Sequence, residues 1–296
     1  MVGLIAPERQ VPRLKGDGMP KPGYRSKDRY GEFLKASKVI SGKISGIPGV
    51  VGILATGGVG RGHSDDFSDL DLIVYVRDHK YREIDRYIAV GGLRNKGLEL
   101  DTPVRSYEKA LKQKSPSAYW SQVRRWDRQN SKVLFDPRGK VKSLLKTKLV
   151  FPGWERDKLM NRHSRKVTDF LIYDFELWSK RGRPHNLAHV LLQATEHLIL
   201  WIYASNRQFQ PYIPKWLFYH LETGRVPEAR YLSIIRRPFT SPMGNITDAR
   251  KIRDELVKLC DRIGLPLEFR TPAEVFEKEA QNWEKASDKT RHYLGW

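Results

Sequence analysis

Three features are scarce in this sequence, and each scarcity excludes a class of protein. A single cysteine, Cys260, excludes an internal disulfide framework and favours a reducing compartment. The longest apolar run, residues 198–204, is far shorter than the ~20 apolar residues that a membrane helix needs. Residues 1–13 lack the apolar core of a signal peptide. We therefore expect a soluble, cytoplasmic protein with no membrane partner.

Acidic residues are scarce relative to basic ones. The 296 residues include 54 Lys and Arg against 34 Asp and Glu, which gives a net charge of +20. Part of the surplus lies in residues 124–166, which hold Trp126 and Trp154 among their basic residues. Basic side chains interleaved with aromatic ones are typical of a groove for single-stranded nucleic acid. A solvated face, or a field that attracts nucleoside triphosphates, explains the same charge. RNA is therefore one candidate partner among these alternatives.

The chain is organised around residues 50–77, which read VVGILATGGVGRGHSDDFSDLDLIVYVR. An apolar strand is predicted to end at a glycine loop that contains Gly57 and Gly58. Eleven positions after Gly58, Asp69 precedes a second apolar strand that contains Asp71. Because side chains alternate along a strand, Asp69 and Asp71 project from the same face. Two carboxylates beside a loop that can approach a phosphate suit Mg²⁺-assisted phosphoryl chemistry.

Two common phosphate-binding loops are excluded by the residues that follow the glycines. A Walker A loop ends in Gly-Lys-Ser/Thr, whereas this chain continues with Arg61, Gly62 and His63. A dinucleotide-binding loop opens a helix, whereas these glycines are predicted to run into the polar turn 64–68. A lone Asp-x-Asp is usually a solvated strand end, and a lone glycine loop is usually a turn. The functional interpretation therefore depends on their occurring together.

The combined pattern resembles the nucleotidyltransferase superfamily that includes DNA polymerase beta, the CCA-adding enzymes and the aminoglycoside nucleotidyltransferases. The motif of that family is an apolar strand, Gly-Gly or Gly-Ser, about a dozen residues, and Asp-x-Asp or Asp-x-Glu in a second strand. Gly57, Gly58, Asp69 and Asp71 match it. The resemblance implies transfer of a nucleoside monophosphate, with AMP from ATP as the first choice, to a hydroxyl group, with release of pyrophosphate.

The resemblance also implies a third carboxylate on a later strand. The predicted strand over residues 97–105 carries Asp101, which is the first choice, and Glu99, which is the alternative. Both project from one face because they are two residues apart. Asp69, Asp71 and Asp101 are then expected to hold two Mg²⁺ ions, although Asp101 is alternatively the group that takes the proton from the acceptor hydroxyl.

Other residues are expected to contact the nucleotide. The glycine pair would donate backbone N–H groups, and basic side chains would add positive charge. The expected set is Gly57, Gly58, Arg61 and Ser68, together with Lys215 and Asn206, which the resemblance to aminoglycoside-type enzymes implies. Residues 206–216 can alternatively be a surface turn. Glu196, on the polar side of a helix predicted over 185–207, is either a general base or part of an exposed polar stripe.

Strand and helix patterns alternate up to about residue 135, and only helical patterns follow residue 152. This order predicts an α/β nucleotidyltransferase domain, a mixed sheet with flanking helices, followed by an all-α helical domain. We place a loosely ordered arm at 1–28, the catalytic domain at 29–150 and the helical domain at 151–296. The second half resembles the helical domain of aminoglycoside-type enzymes, in which substrate and nucleotide bind between the two domains.

The acceptor is not fixed by these residues. The helical domain favours a small hydroxylated molecule, and the basic stretch favours an RNA 3′ end as the alternative. A third alternative is an antitoxin-type protein that binds and adenylylates another protein. A fourth is a regulatory binding module without activity.

Overall fold

The computed structural model describes residues 26–89, 98–113, 119–269, 271, 273–274 and 277. Within these residues every strand lies between positions 50 and 135, and the chain after position 152 forms helices and their connections. The predicted fold class is therefore confirmed. The predicted arm and a helix predicted over 272–294 lie mostly outside the described residues. The domain boundaries at 28 and 150 stay predictions.

The strands and helices follow one another with short connections. The strands are β1 (Val50–Ala55), β2 (Leu70–Val76), β3 (Leu100–Asp101), β4 (Val104–Ser106) and β5 (Lys132–Phe135). The helices of the first half are α1 (Tyr30–Ser45), α2 (Gly57–Arg61), α3 (Tyr81–Ala89), α4 (Tyr107–Lys112), α5 (Tyr119–Gln129) and α6 (Lys140–Lys148). Those of the second half are α7 (Gly153–Thr168), α8 (Phe175–Lys180), α9 (Pro184–Ser205), α10 (Ile213–Trp216), α11 (Tyr219–Glu222), α12 (Leu232–Thr240) and α13 (Ile246–Ile263).

The sheet is mixed, and β1 and β2 lie at its centre. β1 pairs antiparallel with β2 on one side and with β5 on the other. β2 pairs in parallel with both β3 and β4, which are two short pieces of the single third strand that the sequence predicts. The register sets Asp71 beside Asp101 on neighbouring strands.

Both faces of β2 are covered, as its uninterrupted apolar end predicts. Leu70, Leu72, Val74 and Val76 join the core beneath α1 and α3. Tyr75 points to the opposite face, where it packs among residues of α4 and α6. Asp71 and Ile73 are the two half-buried residues of this otherwise buried strand, so the Asp71 carboxylate is held by a rigid element close to the solvent boundary.

The predicted glycine loop is in fact a short helix, α2. Helix propensity argues against this, because glycine is the least favourable residue in a helix apart from proline. Close packing explains the glycines instead: a Cβ on Gly60 would lie 2.4 Å from the carbonyl oxygen of Asn130. Gly62 then ends the helix in the left-handed conformation, which glycine adopts without strain.

The second half is built around α9, a largely buried helix that contacts α7, α8, α12 and α13. The apolar spacing over residues 154–180 predicts one long helix, but a π-helical segment, Asp169–Asp174, interrupts it and joins α7 to α8. α6 and α12 were not predicted. α6 is short and rich in lysine, and α12 contains Pro238, which disfavours a helix. Among the described residues no helix is long and apolar enough to cross a membrane.

The two halves meet at a junction cluster of buried aromatic and apolar residues. Its members are Trp126, Phe151, Leu159, Ala204, Phe209 and Tyr219. Next to it, Arg125 of α5 forms two hydrogen bonds to the carboxylate of Glu155 in α7, and Gln122 donates a third at 2.7 Å. Arg125 and Glu155 are only 2% and 0% exposed, so α5 is fixed to the helical half by a buried ion pair.

Candidate active site

One cavity of about 550 Å³ brings the glycine helix, the carboxylates and both halves of the chain together. Its walls come from α2, the turn before β2, α5 and the segment that includes α10. The lining residues are Thr56, Gly57, Gly58, Arg61, His63, Asp65, Phe67, Ser68, Asp69, Asp71, Trp120, Val123, Trp126, Asp127, Tyr212, Lys215 and Trp216. A cavity of this size is in the usual range for a small-molecule ligand.

The carboxylate of Asp71 is packed directly against Gly57. A Cβ on Gly57 would lie 1.6 Å from Oδ2 of Asp71, which is far closer than two non-bonded atoms can approach. Gly57 also has a φ of +53°, in the left-handed region that favours glycine. The backbone N–H of Thr56 donates to the carbonyl oxygen of Asp71 at 3.0 Å, which fixes the start of α2 to β2. The glycine and the carboxylate of the motif therefore form one structural unit.

We expect Gly57→Ala to displace Asp71 and to abolish activity, because the added methyl group occupies the position of the carboxylate. The strained φ adds a loss of about 1 kcal/mol or more in the free energy of unfolding. Gly62→Ala is the matched control, since Gly62 also has a positive φ, +85°, but a Cβ there meets nothing within 4 Å. Activity and urea denaturation of both variants separate the clash from the backbone strain. Equal activity in the two variants would contradict the assigned contact.

Asp71 carries an unfavourable negative charge. Its pKa is raised to about 7, mainly by burial and also by the neighbouring carboxylates of Asp69, Asp101 and Asp127, while Arg61 opposes the rise. Burial is the largest cause of this rise, and the negative charges of the cluster of three neighbouring carboxylates add to it. Such a cluster is suited to a bound cation, which favours the ionised form of its ligands.

Asp127 is a cavity residue that the sequence did not reveal. It lies on α5, inside the basic stretch, and burial raises its pKa to about 6 against the opposing effect of Arg61 and Arg128. Trp120, Val123 and Trp126 line the cavity from the same helix. Helical spacing puts these three residues on one face of α5. Only the packing of that helix in the tertiary structure shows that Asp127 lines the cavity with them.

Positive charge reaches the cavity from both halves of the chain. The Arg61 guanidinium lies 4.3 Å from the ring centroid of Trp216 and 5.3 Å from that of Trp126. Stacking on two aromatic rings restricts an arginine and adds a cation–π attraction. Lys215, in α10, also lines the cavity and is exposed. A ligand with several negative charges can therefore contact two cations, one from each half of the chain.

The structure brings together most of the residues that the sequence selected. The selected residues that line the cavity are Gly57, Gly58, Arg61, Ser68, Asp69, Asp71 and Lys215. Of the other selected residues that the structure describes, Glu99, Asp101, Asn206 and Glu196 are not among those that line it.

Asp101 lies beside the cavity residue Asp71, whereas Glu99 contributes a backbone hydrogen bond to the sheet. The Asp101 side chain is exposed on the strand beside Asp71, and its charge contributes to the raised pKa of that residue. The carbonyl oxygen of Glu99 accepts the N–H of Leu70 at 2.9 Å, and its side chain is exposed. Of the two, Asp101 is thus the one for which the structure shows an interaction with the Asp71 carboxylate.

Asn206 and Glu196 lie elsewhere. The Asn206 side chain donates to the carbonyl oxygen of Ile202 and to the carboxylate of Glu228, both at 2.9 Å, so it holds the end of α9. Glu196 is half-buried on α9, and burial alone raises its pKa. Neither residue is among those that line the cavity, and the roles predicted for them stay predictions. Sequence spacing placed Glu196 on a helix and Asn206 at its end, but it could not show which way that part of the chain faces.

The carboxylates of the cavity are suited to an Mg²⁺ ion that binds together with a phosphate-containing ligand. Among the described residues no three His, Cys, Asp or Glu side chains form a ready group of metal ligands. Mg²⁺ binds oxygen ligands and is usually held by one or two carboxylates together with water and substrate phosphates. Asp69 and Asp71 line one cavity and supply such a pair.

Comparison with known proteins adds to this geometry. No protein-family model matches the chain. Over 72 residues, 24% of its length, the chain is 33% identical to the bifunctional uridylyltransferase/uridylyl-removing enzyme of Burkholderia thailandensis. The chain resembles nucleotidyltransferases. The match spans only 8% of the length of that enzyme.

A solved structure gives a weaker likeness. The nucleotidyltransferase-like protein of Exiguobacterium sibiricum is 14% identical to this chain, with a TM-score of 0.43. The alignment covers 77% of this chain and 74% of that one.

Proposed function

We propose that this protein is a Mg²⁺-dependent nucleotidyltransferase that transfers a nucleoside monophosphate, AMP from ATP in the first instance, to a hydroxyl of a small-molecule acceptor. The observation that carries the proposal is the contact between Gly57 and the Asp71 carboxylate in a cavity that also contains Asp69, Arg61 and Lys215. A motif match alone would be satisfied by residues that are apart in space, whereas this cavity combines the parts that phosphoryl transfer needs.

In the proposed complex the triphosphate lies between α2 and α10. Gly57 and Gly58 begin α2, and the first N–H groups of a helix have no acceptor within that helix. Arg61 and Lys215 would balance the phosphate charge, and Asp69 with Asp71 would hold Mg²⁺, with Asp101 as the proposed ligand of a second ion. Ser68 lines the same cavity from the turn before β2, where its hydroxyl also donates to Asp65 at 3.0 Å.

One bond forms, from the acceptor oxygen to the α-phosphorus, and the bond from that phosphorus to the bridging β-phosphate oxygen breaks, so that pyrophosphate leaves. The proton of the acceptor hydroxyl would pass to a base, a role that Asp101 would take if it does not hold a second Mg²⁺. Bound Mg²⁺ supplies charge neutralisation and polarises the phosphoryl group. The chain contributes positioning and fixed charge, which account for most of the rate in such reactions.

The test is label transfer from the α-phosphate of ATP, UTP, CTP or GTP to pools of sugars and aminoglycosides, RNA and proteins. We expect transfer that requires Mg²⁺ and stops with EDTA. Asp69→Asn is expected to reduce the rate roughly 100- to 1,000-fold or more, because it removes charge where the transition state needs it. Asp85→Asn, on the exposed side of α3, is the control and should keep full activity.

Each pool reports on a different acceptor. Label in RNA or protein with none in small molecules would replace the proposed acceptor but keep the reaction. Full activity of Asp69→Asn, or transfer that EDTA does not affect, would contradict the proposed function.

A further inference from the structure

Two exposed aromatic rings line the cavity, one from α5 and one from the turn before β2. Trp120 is 57% exposed and Phe67 is 90% exposed, although large aromatic residues are usually mostly buried. Both line the cavity. Exposed aromatic surface in a cavity is typical of ligand contact, since its burial by a ligand is favourable.

The Trp120 ring is held in place from the other half of the chain. It stacks on Tyr212, with ring centroids 6.0 Å apart and an angle of 20° between the planes. Tyr212 lies in the segment that leads into α10, three residues before Lys215. A stacked and pre-oriented ring loses little conformational freedom when a planar ligand binds to it.

α5 sets the distance between this ring and the carboxylates. Asp127 and Trp120 are seven residues apart on α5, which corresponds to about 10 Å along a helix axis. The charge of Asp127 acts on Asp71, so the Asp127 end of α5 is the end near the carboxylates, and Trp120 is at the far end. A nucleotide with its phosphates beside Asp71 is long enough to bring its base to Trp120.

We propose that Trp120, supported by Tyr212, is the stacking platform for the nucleobase of the donor nucleotide, with Phe67 as an additional apolar contact. This inference rests on the proposed function and adds the part of the donor that the glycine helix does not contact. Stacking on an aromatic ring tolerates every base, because each base has a π-face. Purines, which cover more of the ring, are expected to bind more tightly than pyrimidines.

The test compares two probes by calorimetry in the presence of Mg²⁺: ATP, and inorganic tripolyphosphate, which lacks the base. Trp120→Ala is expected to weaken ATP binding roughly 5- to 100-fold, the range for loss of one stacked base, and to leave tripolyphosphate binding within twofold. Trp120→Phe should keep most of the ATP affinity. Trp154→Ala is the matched control, because Trp154 is 58% exposed and is not among the lining residues. It should change neither affinity.

The outcomes separate the two proposals. If the unmodified protein binds neither probe, the proposed function fails, and this inference fails with it. If it binds both and Trp120→Ala changes neither affinity, the platform is refuted while the proposed function stands. An equal loss for both probes would show that Trp120 supports the phosphate site, which also overturns the inference.

Discussion

Replacement of Asp71 by Asn is expected to abolish nucleotidyl transfer and, in the absence of Mg²⁺, to make the protein more stable. The activity is lost because one of the two cavity carboxylates proposed to hold Mg²⁺ loses its charge. The stability rises because the ionised carboxylate is unfavourable: its pKa is raised to about 7 by burial and by the carboxylates around it. The residue proposed to be essential for catalysis is thus one that destabilises the metal-free fold.

The sign of the pH dependence follows from the direction of the pKa shift. The unfolded Asp has an ordinary pKa near 3.8, so between pH 4 and pH 7 the folded state binds more protons at this site than the unfolded state. The contribution of Asp71 to stability therefore falls as the pH rises through that range. One pKa unit corresponds to about 1.4 kcal/mol, so we expect Asp71→Asn to gain on the order of 2 to 4 kcal/mol at pH 8. Little gain is expected at pH 4, where the folded Asp71 is protonated and the unfolded Asp71 is only partly ionised.

Urea denaturation at pH 4 and pH 8, with and without Mg²⁺, measures this effect. Added Mg²⁺ should stabilise the unmodified protein more than Asp71→Asn, so the gain should shrink. Asp85→Asn is again the control, because its side chain is exposed, and its stability should change by less than about 0.5 kcal/mol. A loss of stability in Asp71→Asn at pH 8 would contradict the described electrostatics.

The second large effect is expected at a buried ion pair outside the cavity. Glu155→Gln should lower the free energy of unfolding by about 3 to 5 kcal/mol, the usual cost of leaving one charge of a buried pair without its partner. Arg125 would keep its charge at 2% exposure, with its guanidinium stacked 4.5 Å from the centroid of Phe209. Because α5 carries Trp120 and Asp127, we also expect weaker nucleotide binding.

Two further variants define the cause. Asp169→Asn breaks an exposed pair with Lys166, whose atoms are 3.2 Å apart, and should cost less than about 1 kcal/mol. Arg125→Met combined with Glu155→Leu removes both buried charges and should recover much of the stability, because apolar replacement of a whole buried pair is often neutral. A Glu155→Gln variant as stable as Asp169→Asn would show that the pair does not hold α5 to α7.

Local patterns were sufficient for the strands, most helices and the motif. The alternation and apolar run of β2 predicted a strand covered on both faces, and its burial confirms this. The helical state of residues 57–61 was not predictable, because four closely spaced glycines indicate a loop by propensity. The neighbours that make glycine necessary there, Asp71 and Asn130, come from other parts of the chain.

The sequence by itself determined the α/β order of the first half, the helical second half and the carboxylate pair, because these depend on periodicity and on a spacing within one segment. Only the tertiary structure decided that Asp127, Trp120 and Lys215 share the cavity with Asp71, whereas Asn206 and Glu196 do not line it. The physical reason is the packing of α5 between the sheet and the helical half, held by the buried Arg125–Glu155 pair. Periodicity shows that a helix has a face, but the partner that covers this face is specified by residues far away in the chain.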